Sequence, residues 1–190
     1  MGRDKALMPH PEGGTWLERT LLLLARLEVP VTLLSRHQAH LKLAQGLGEQ
    51  LAEPPIIAMA EPPPWEGPLL ALRRLMEHHP HQRLLLCPVD MPWLSLEALR
   101  ALVAAAENDG PAALAANVAS IHLAHDGQRL QPLLGIYPST GAIRAPLAAA
   151  IHRGERGLQR WLASQSCLPV PLDPQALRNV NQPQELASAP

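Results

Sequence analysis

Residues 83–92 constrain the fold more than any other stretch of the sequence. Four apolar residues, Leu84 to Cys87, stand in a row between polar residues and prolines, which is typical of a strand buried on both faces of a sheet. Asp90 follows, and Pro92 prevents the strand from continuing. Ligands of open α/β sheets bind at the carboxyl ends of strands, so Asp90 stands where a carboxylate that handles a metal or a phosphate would lie. Asp is also a common turn residue, so a role in shaping the next turn is the alternative.

Predicted strands and helices alternate along the first half of the chain. Thr15 and Glu18 have the spacing of a capping box and predict that a helix begins there. The apolar patterns predict helices over 15–27, 37–52 and 68–78, with strands over 29–35 and 54–60 between them. Pro68 suits the first position of the third helix. This rhythm predicts parallel βαβ units and therefore an α/β fold.

The second half predicts an antiparallel element added to that sheet. Ser95 is the expected N-cap of a helix over 96–107, and a strand is expected over 112–116. Residues 120–137 read as two strands joined at Asp126-Gly127, which is a strong hairpin signal. Helices over 140–152 and 157–165 and a strand over 167–172 complete the expected order.

Composition excludes several classes of protein. A chain of 190 residues can form one domain with a full core. Its net charge of -1 argues against a protein that holds nucleic acid through a basic surface. Since no apolar run reaches the length of a membrane span and the start does not resemble a signal peptide, we expect a cytoplasmic protein with no membrane partner. Cys87 and Cys167 are expected to be buried free thiols.

Three motifs together carry a resemblance to a known family. They read Arg-Asp-Lys-Ala-Leu at 3–7, Cys-Pro-Val-Asp-Met-Pro-Trp-Leu-Ser at 87–95 and Asn-Val-Asn-Gln-Pro-Gln-Glu-Leu at 179–186. Over nearly the whole chain the sequence resembles the molybdenum cofactor guanylyltransferases, which belong to the nucleotidyltransferases of the GT-A-like Rossmann type. The resemblance implies one nucleotidyltransferase domain over 1–190, built as a three-layer α/β/α sandwich. Its sheet would be mostly parallel and Rossmann-like, with an antiparallel hairpin element.

The family pattern begins before the first residue of this chain. Its first strand and glycine-rich phosphate loop end in a motif whose tail alone is matched by residues 1–5. A strand plus such a loop would occupy roughly 15 residues upstream. Either the coding start lies further upstream and Met1 is an internal methionine of the motif, or the gene is shortened and the protein is impaired. We expect the first, because the rest of the chain keeps the family pattern.

The resemblance also assigns the residues that would hold the nucleotide. Lys5 would contact the triphosphate, where a compact ammonium suits a phosphate. Glu61 would stand near the guanosine after a one-residue shift, since Ala60 occupies the ungapped position. Gly67 belongs to the loop beside the base. Asp90 would bind Mg²⁺ and the nucleotide and so be the catalytic residue, because Mg²⁺ needs only one or two carboxylates.

The motif near the C-terminus is assigned to the second substrate. Asn179 would face the site as a hydrogen-bond donor to that substrate. Asn181 is assigned to the substrate as well, but it can equally cap a short final helix that starts near Pro183. The sequence alone leaves both readings of Asn181 open.

The implied reaction is the transfer of GMP from GTP to molybdenum-molybdopterin, which gives molybdopterin guanine dinucleotide and pyrophosphate. Mg²⁺ would be the cofactor, the enzyme a monomer, and molybdoenzyme maturation proteins its possible further partners. A CTP-dependent cytidylyltransferase acting on the same cofactor is one alternative. A non-catalytic protein of molybdoenzyme maturation is another, because the phosphate loop is absent from this chain. A sugar-phosphate nucleotidyltransferase fits less well, since such enzymes often carry extra length.

Overall fold

The computed structural model describes residues 4–10 and 13–180 of the chain, which falls into two compact units. The first unit comprises Met1–Pro62, Pro88–Ala98 and Gln175–Pro190, and the second comprises Pro63–Cys87 and Leu99–Pro174. Each unit has its own sheet and its own apolar cluster. The expectation of a single domain over residues 1–190 stays a prediction.

The first unit contains a parallel βαβ arrangement, as the sequence predicts. Strands β1 (Val31–Ser35) and β2 (Ile56–Ala60) are joined by helix α2 (Gln38–Leu51), with Val31 opposite Ile56 and Ser35 opposite Ala60. Helix α1 (Trp16–Ala25) and a 3-10 turn (Lys5–Leu7) precede them. One apolar cluster unites these elements through buried side chains of Ala6, Leu17, Leu21, Val31, Ala44, Leu47 and Ile56.

Local sequence signals account for the start of helix α1. The Thr15 hydroxyl accepts the Glu18 backbone N–H at 3.2 Å, and the Glu18 carboxylate accepts the Thr15 backbone N–H at 3.1 Å. This reciprocal pair satisfies two of the backbone donors that a helix leaves exposed at its first turn. The predicted capping box is therefore confirmed.

The second unit contains the mixed part of the fold. Its elements in chain order are α3 (Pro68–His78), β3 (Arg83–Leu86), α4 (Leu96–Glu107, which begins in the first unit), α5 (Gly110–Ala115), β4 (Ile121–His125), β5 (Leu130–Pro138), α6 (Gly141–His152), α7 (Leu158–Leu162) and β6 (Cys167–Pro171). Its largest core side chains include Trp161, Tyr137 and Leu69.

The sheet of the second unit has the order β3-β5-β4-β6. Strand β5 is antiparallel to both β3 and β4, whereas β4 and β6 are parallel. Three of the four strands therefore run in one direction, and β5 runs in the other. The predicted α/β class with an antiparallel hairpin is confirmed. The described residues include no helix that is both long and apolar enough to cross a membrane.

The turn between β4 and β5 is organised by Asp126. One of its carboxylate oxygens accepts the backbone N–H groups of Arg129 at 2.8 Å and Gln128 at 2.9 Å, and the other accepts the Gln131 side-chain amide at 2.9 Å. The Arg129 N–H first, and then the Gln128 N–H, lower the pKa of Asp126 to about 2, because these bonds favour the charged carboxylate.

Two expectations need correction or refinement. The predicted strand over 112–116 is wrong, because this segment belongs to helix α5 (Gly110–Ala115). Pro111 occupies the first turn of that helix, and the alanines that follow are the strongest helix formers. Cys87 and Cys167 are free thiols but only half-buried, and burial raises the pKa of the Cys167 thiol.

Two glycine substitutions are expected to change stability in opposite directions. A Cβ at Gly135 would lie 2.5 Å from the carbonyl oxygen of His122 on the neighbouring strand. Gly135→Ala should therefore lower the free energy of unfolding by about 1–3 kcal/mol. Gly46 lies inside α2, and a Cβ added there would meet no heavy atom within 4 Å, so Gly46→Ala should raise it by roughly 0.5–1 kcal/mol. Urea unfolding checks both, and equal effects would contradict the close approach at Gly135.

The hairpin should lose stability only in strong acid. The folded-state pKa of Asp126 is lowered. The stabilisation that its ionised carboxylate gives to the hairpin is therefore complete above the ordinary pKa of 3.8 and is lost as the pH falls through about 2. An NMR titration that follows the Asp126 carboxyl carbon should give a midpoint near 2. The variant Asp126→Asn should remove the pH dependence of the hairpin amide signals between these two values, and a midpoint near 3.8 would disprove the assigned hydrogen bonds.

Candidate functional site

Lys5 is held between two anchored neighbours. Asp4 caps the 3-10 turn, since its Oδ1 accepts the backbone N–H of Ala6 at 3.1 Å. Ala6 is only 6% exposed and packs into the apolar cluster of the first unit. Lys5 itself is half-buried. The backbone on both sides of this lysine is therefore fixed.

Asp90 is attached to the same cluster. It is half-buried and follows Val89, whose side chain packs against the cluster that contains Ala6. Lys5 precedes Ala6 in the chain and Asp90 follows Val89. Lys5, the predicted phosphate-binding residue, and Asp90, the predicted metal ligand, are thus each anchored through an adjoining residue to the same apolar cluster.

Backbone contacts fix the loop that carries Asp90. The carbonyl oxygen of Asp90 accepts the Val180 N–H at 2.9 Å, and that of Met91 accepts the Leu94 N–H at 3.1 Å. At the end of the loop the Ser95 hydroxyl accepts the Ala98 N–H at 3.1 Å, which confirms the predicted cap of α4. The main chain of the loop is thus hydrogen-bonded at several points, while Asp90 itself is half-buried.

Asn179 is placed against this loop by the residues on either side of it. Val180 is fully buried with Met8 and Trp16. The guanidinium carbon of Arg178 lies 5.4 Å from the centre of the Trp93 ring, within the range of a cation–π contact. Asn179 is exposed between these two anchors. Asn181 lies outside the described residues.

Glu61 follows strand β2 in the first unit and is half-buried. Its backbone N–H donates to the carbonyl oxygen of Ser35 at 2.9 Å, which extends the pairing of β1 and β2 by one step. Ala60, at the ungapped position of the family motif, is the last residue of β2. Lys5, Glu61, Asp90 and Asn179 therefore belong to one unit.

Gly67 belongs to the second unit. It is the N-cap of α3 and has a φ of 95°, a conformation that L side chains rarely adopt. Pro68 follows at the first helical position, as predicted. Next to the glycine, Glu66 forms an ion pair of 2.8 Å with Arg156. This turn requires glycine for its backbone geometry, whatever its role toward a ligand.

A chain of hydrogen bonds beside Lys5 was not predicted from the sequence. His40 Nε2 lies 2.7 Å from Asp4 Oδ2, and His40 Nδ1 lies 2.9 Å from the Ser35 hydroxyl. The order Ser-His-Asp is that of hydrolase triads. Ser35, however, is only 7% exposed, and its oxygen also accepts the His37 N–H at 3.1 Å. This serine is therefore not placed as a nucleophile.

The sequence does contain a signal for His40. Together with Ala44 and Leu47 it occupies positions i, i+4 and i+7 of α2, and all three are buried. This spacing defines one face of a helix, which separates His40 from the exposed His37. The partner Asp4 carries no such signal, because it is 36 positions away.

A cavity in the first unit has a volume of about 160 Å³. Val89, Met91 and Pro92, on either side of Asp90, contribute to its wall together with side chains of α1. Neither Asp90 nor Lys5 lines it. The cavity is therefore distinct from the surface on which these two charged groups lie.

Comparison with known proteins identifies the family. The family described as the MobA-like NTP transferase domain matches residues 1–169. The chain belongs to this family. It is therefore a nucleotidyltransferase by family, and the resemblance stated from the sequence is confirmed.

Two relatives align with nearly the whole chain. A probable molybdenum cofactor guanylyltransferase of Rhodopirellula baltica is 33% identical over 98% of this chain and 83% of the relative. A molybdenum cofactor guanylyltransferase of Ectopseudomonas mendocina is 28% identical over 99% of this chain and 84% of the relative.

Solved structures share the fold. Molybdopterin-guanine dinucleotide biosynthesis protein A of Archaeoglobus fulgidus aligns with a TM-score of 0.65 and 16% identity, covering 99% of this chain and 89% of its own. The 2-C-methyl-D-erythritol 4-phosphate cytidylyltransferase of Thermus thermophilus aligns with a TM-score of 0.60 and 17% identity, covering 100% of this chain and 93% of its own. At these identities the likeness establishes the nucleotidyltransferase fold alone.

Proposed function

We propose that the protein transfers GMP from GTP to molybdenum-molybdopterin and so forms molybdopterin guanine dinucleotide and pyrophosphate. The relatives that align with almost the whole chain bear the name of this guanylyltransferase. The structural observation that carries the proposal is the attachment of Lys5 and Asp90, through Ala6 and Val89, to one apolar cluster. A cation and a carboxylate on one support suit a substrate that carries both phosphate charges and a divalent metal.

The proposed step is a displacement at the α-phosphorus of GTP. An oxygen of the terminal phosphate of molybdopterin forms a bond to that phosphorus. The bond from the α-phosphorus to the bridging oxygen breaks, and pyrophosphate leaves with the electron pair. An ionised phosphate needs no general base to attack, so the chain has to supply positioning and charge stabilisation rather than proton transfer.

Lys5 is proposed to bind the triphosphate. An ammonium group is a compact charge with three donors, and it can stabilise the negative charge that accumulates on departing pyrophosphate. The fixed backbone at Asp4 and Ala6 limits how far the lysine can move. The main chain that carries this lysine is therefore fixed before the nucleotide binds.

Asp90 would be the protein ligand of Mg²⁺ in this proposal. The Asp90 side chain makes no hydrogen bond or ion pair to another described residue. Within residues 4–10 and 13–180 no three His, Cys, Asp or Glu side chains form a metal cage. Mg²⁺ characteristically takes one or two carboxylates, keeps several waters and binds substrate phosphates. Mg²⁺ held by Asp90 would neutralise the crowded phosphate oxygens of the nucleotide.

The other predicted residues take supporting roles in this proposal. Glu61 is assigned to the guanosine, and its backbone is fixed to the end of β1. Asn179, and Asn181 after it, receive the molybdopterin. The exposed Asn179 between Arg178 and Val180 supports this assignment.

Removal of the Asp90 carboxylate should abolish metal-dependent turnover without unfolding the protein. Asp90→Asn keeps the shape of the side chain, so kcat for guanylyl transfer in Mg²⁺ should fall by at least about 100-fold. The matched control is Glu49→Gln, which removes the charge of an exposed carboxylate on α2. Release of pyrophosphate from GTP and from CTP measures the effect and the base preference. Unchanged turnover in Asp90→Asn would remove the metal role, and faster turnover with CTP would favour the cytidylyl alternative.

Removal of the Lys5 charge should weaken nucleotide binding more than folding. Loss of a charge-assisted hydrogen bond costs about 1.5–3 kcal/mol, so Lys5→Ala should raise the Kd of GTP by roughly 10- to 100-fold. Calorimetry with GTP and Mg²⁺ measures this value. Lys42→Ala is the control, because Lys42 is an exposed lysine on α2. If both variants bind GTP like the parent protein, Lys5 is an ordinary surface charge.

A further inference from the structure

We propose that His40 is a positioning residue for Lys5, acting through Asp4. This inference rests on the proposed function, because it takes Lys5 as the group that binds the triphosphate. The observation behind it is the hydrogen-bonded chain Ser35–His40–Asp4, which ends at the residue before Lys5. His40 has no part in the displacement at phosphorus itself.

The two oxygens of Asp4 bind two different parts of the first unit. Oδ1 accepts the Ala6 N–H at 3.1 Å and thereby shapes the 3-10 turn. Oδ2 lies 2.7 Å from His40 Nε2 on helix α2. Lys5 is the residue between Asp4 and Ala6. The contact with His40 therefore ties the turn that carries the lysine to a helix whose buried face belongs to the core.

The partners of the His40 ring define its protonation pattern. A carboxylate only accepts hydrogen bonds, so the hydrogen of this contact is on Nε2. In the neutral ring Nδ1 is then an acceptor, and the Ser35 hydroxyl donates to it at 2.9 Å. The Ser35 oxygen in turn accepts the His37 N–H at 3.1 Å. Both ring nitrogens of His40 therefore have a partner of matching donor or acceptor type, which orients the ring toward Asp4.

Burial makes this orientation rigid. His40 is 8% exposed and Ser35 is 7% exposed, so a rotation of the ring would leave buried polar atoms without partners, which is costly. Ser35 is also bonded through its carbonyl oxygen to the N–H of Glu61. The same serine thus orients His40 and fixes the start of the segment after β2.

The contact with Asp4 is better suited to positioning than to stabilisation. The Asp4 side chain is 39% exposed, so water competes for its oxygens and the net contribution of this hydrogen bond to stability is small. His40 holds one Asp4 oxygen and the turn holds the other. Because both oxygens are held, the carboxylate and the backbone that follows it keep one conformation. The Cα–Cβ bond of Lys5 therefore has a fixed position and a fixed direction.

The test compares GTP affinity among variants of the full chain by calorimetry with Mg²⁺. His40→Leu removes both ring bonds, and its Kd should rise about 10-fold because a displaced cation loses part of its charge-assisted bonding. His40→Gln retains a side-chain N–H for Asp4 and should restore affinity to within about 2-fold of the parent. His37→Leu, a change in the neighbouring exposed ring, is the matched control and should bind like the parent. Thermal unfolding verifies that each variant is folded.

A double-variant cycle separates positioning from a merely structural role. If His40 acts through Lys5, His40→Leu should have almost no further effect on GTP affinity in the Lys5→Ala background. An equal loss in both backgrounds would overturn the proposal, as would parent-like affinity of His40→Leu alone. If the parent chain itself binds neither GTP nor pyrophosphate, the proposed function fails first, and the assignment of His40 to it fails with it. GTP binding by the parent protein therefore distinguishes failure of the proposed function from failure of the His40 assignment alone.

Discussion

The apolar cluster around Ala6, Val31 and Ala44 is the constraint on which the charged part of the first unit depends. It joins the 3-10 turn, both strands, helices α1 and α2, and Val89 of the Asp90 loop. Lys5 and Asp90 belong to short segments that could not hold a fixed conformation alone. Each adjoins a residue of this cluster. Burial of apolar surface, which is a non-directional interaction, therefore determines the positions of the two charged residues.

Hydrogen bonds then complete what apolar packing leaves undefined. In the Asp90 loop, the carbonyl oxygen of Asp90 accepts the N–H of Val180. In the turn at Lys5, the Asp4 carboxylate bonds to the N–H of Ala6 and to the His40 ring. In both segments the bonds that shape the backbone use main-chain atoms or a neighbouring side chain. Such loops can bring charge close to a phosphate while their own polar groups are satisfied.

The sequence predicts features whose partners are close in the chain. The capping box of Thr15 and Glu18 and the hairpin at Asp126 are set by interactions over five residues or fewer, so local reasoning locates both. The strand expected over 112–116 fails because its alanines favour a helix. Asp90 can be chosen as a candidate because a carboxylate after an apolar run is visible in the sequence without knowledge of contacts.

The connection from His40 to Asp4 is beyond the reach of such reasoning. The helical pattern of α2 indicates that His40 faces inward, but it cannot say which residue the ring meets. That partner is selected by the register of β1 with β2 and by the packing of Ala6, because these determine where the turn at Asp4 lies relative to the first turn of α2. A buried histidine needs a partner for each ring nitrogen, and here one partner ends a strand while the other precedes Lys5. Because His40 needs a hydrogen-bond partner at each ring nitrogen, it connects the end of β1 to the turn that carries Lys5, the residue proposed to bind phosphate.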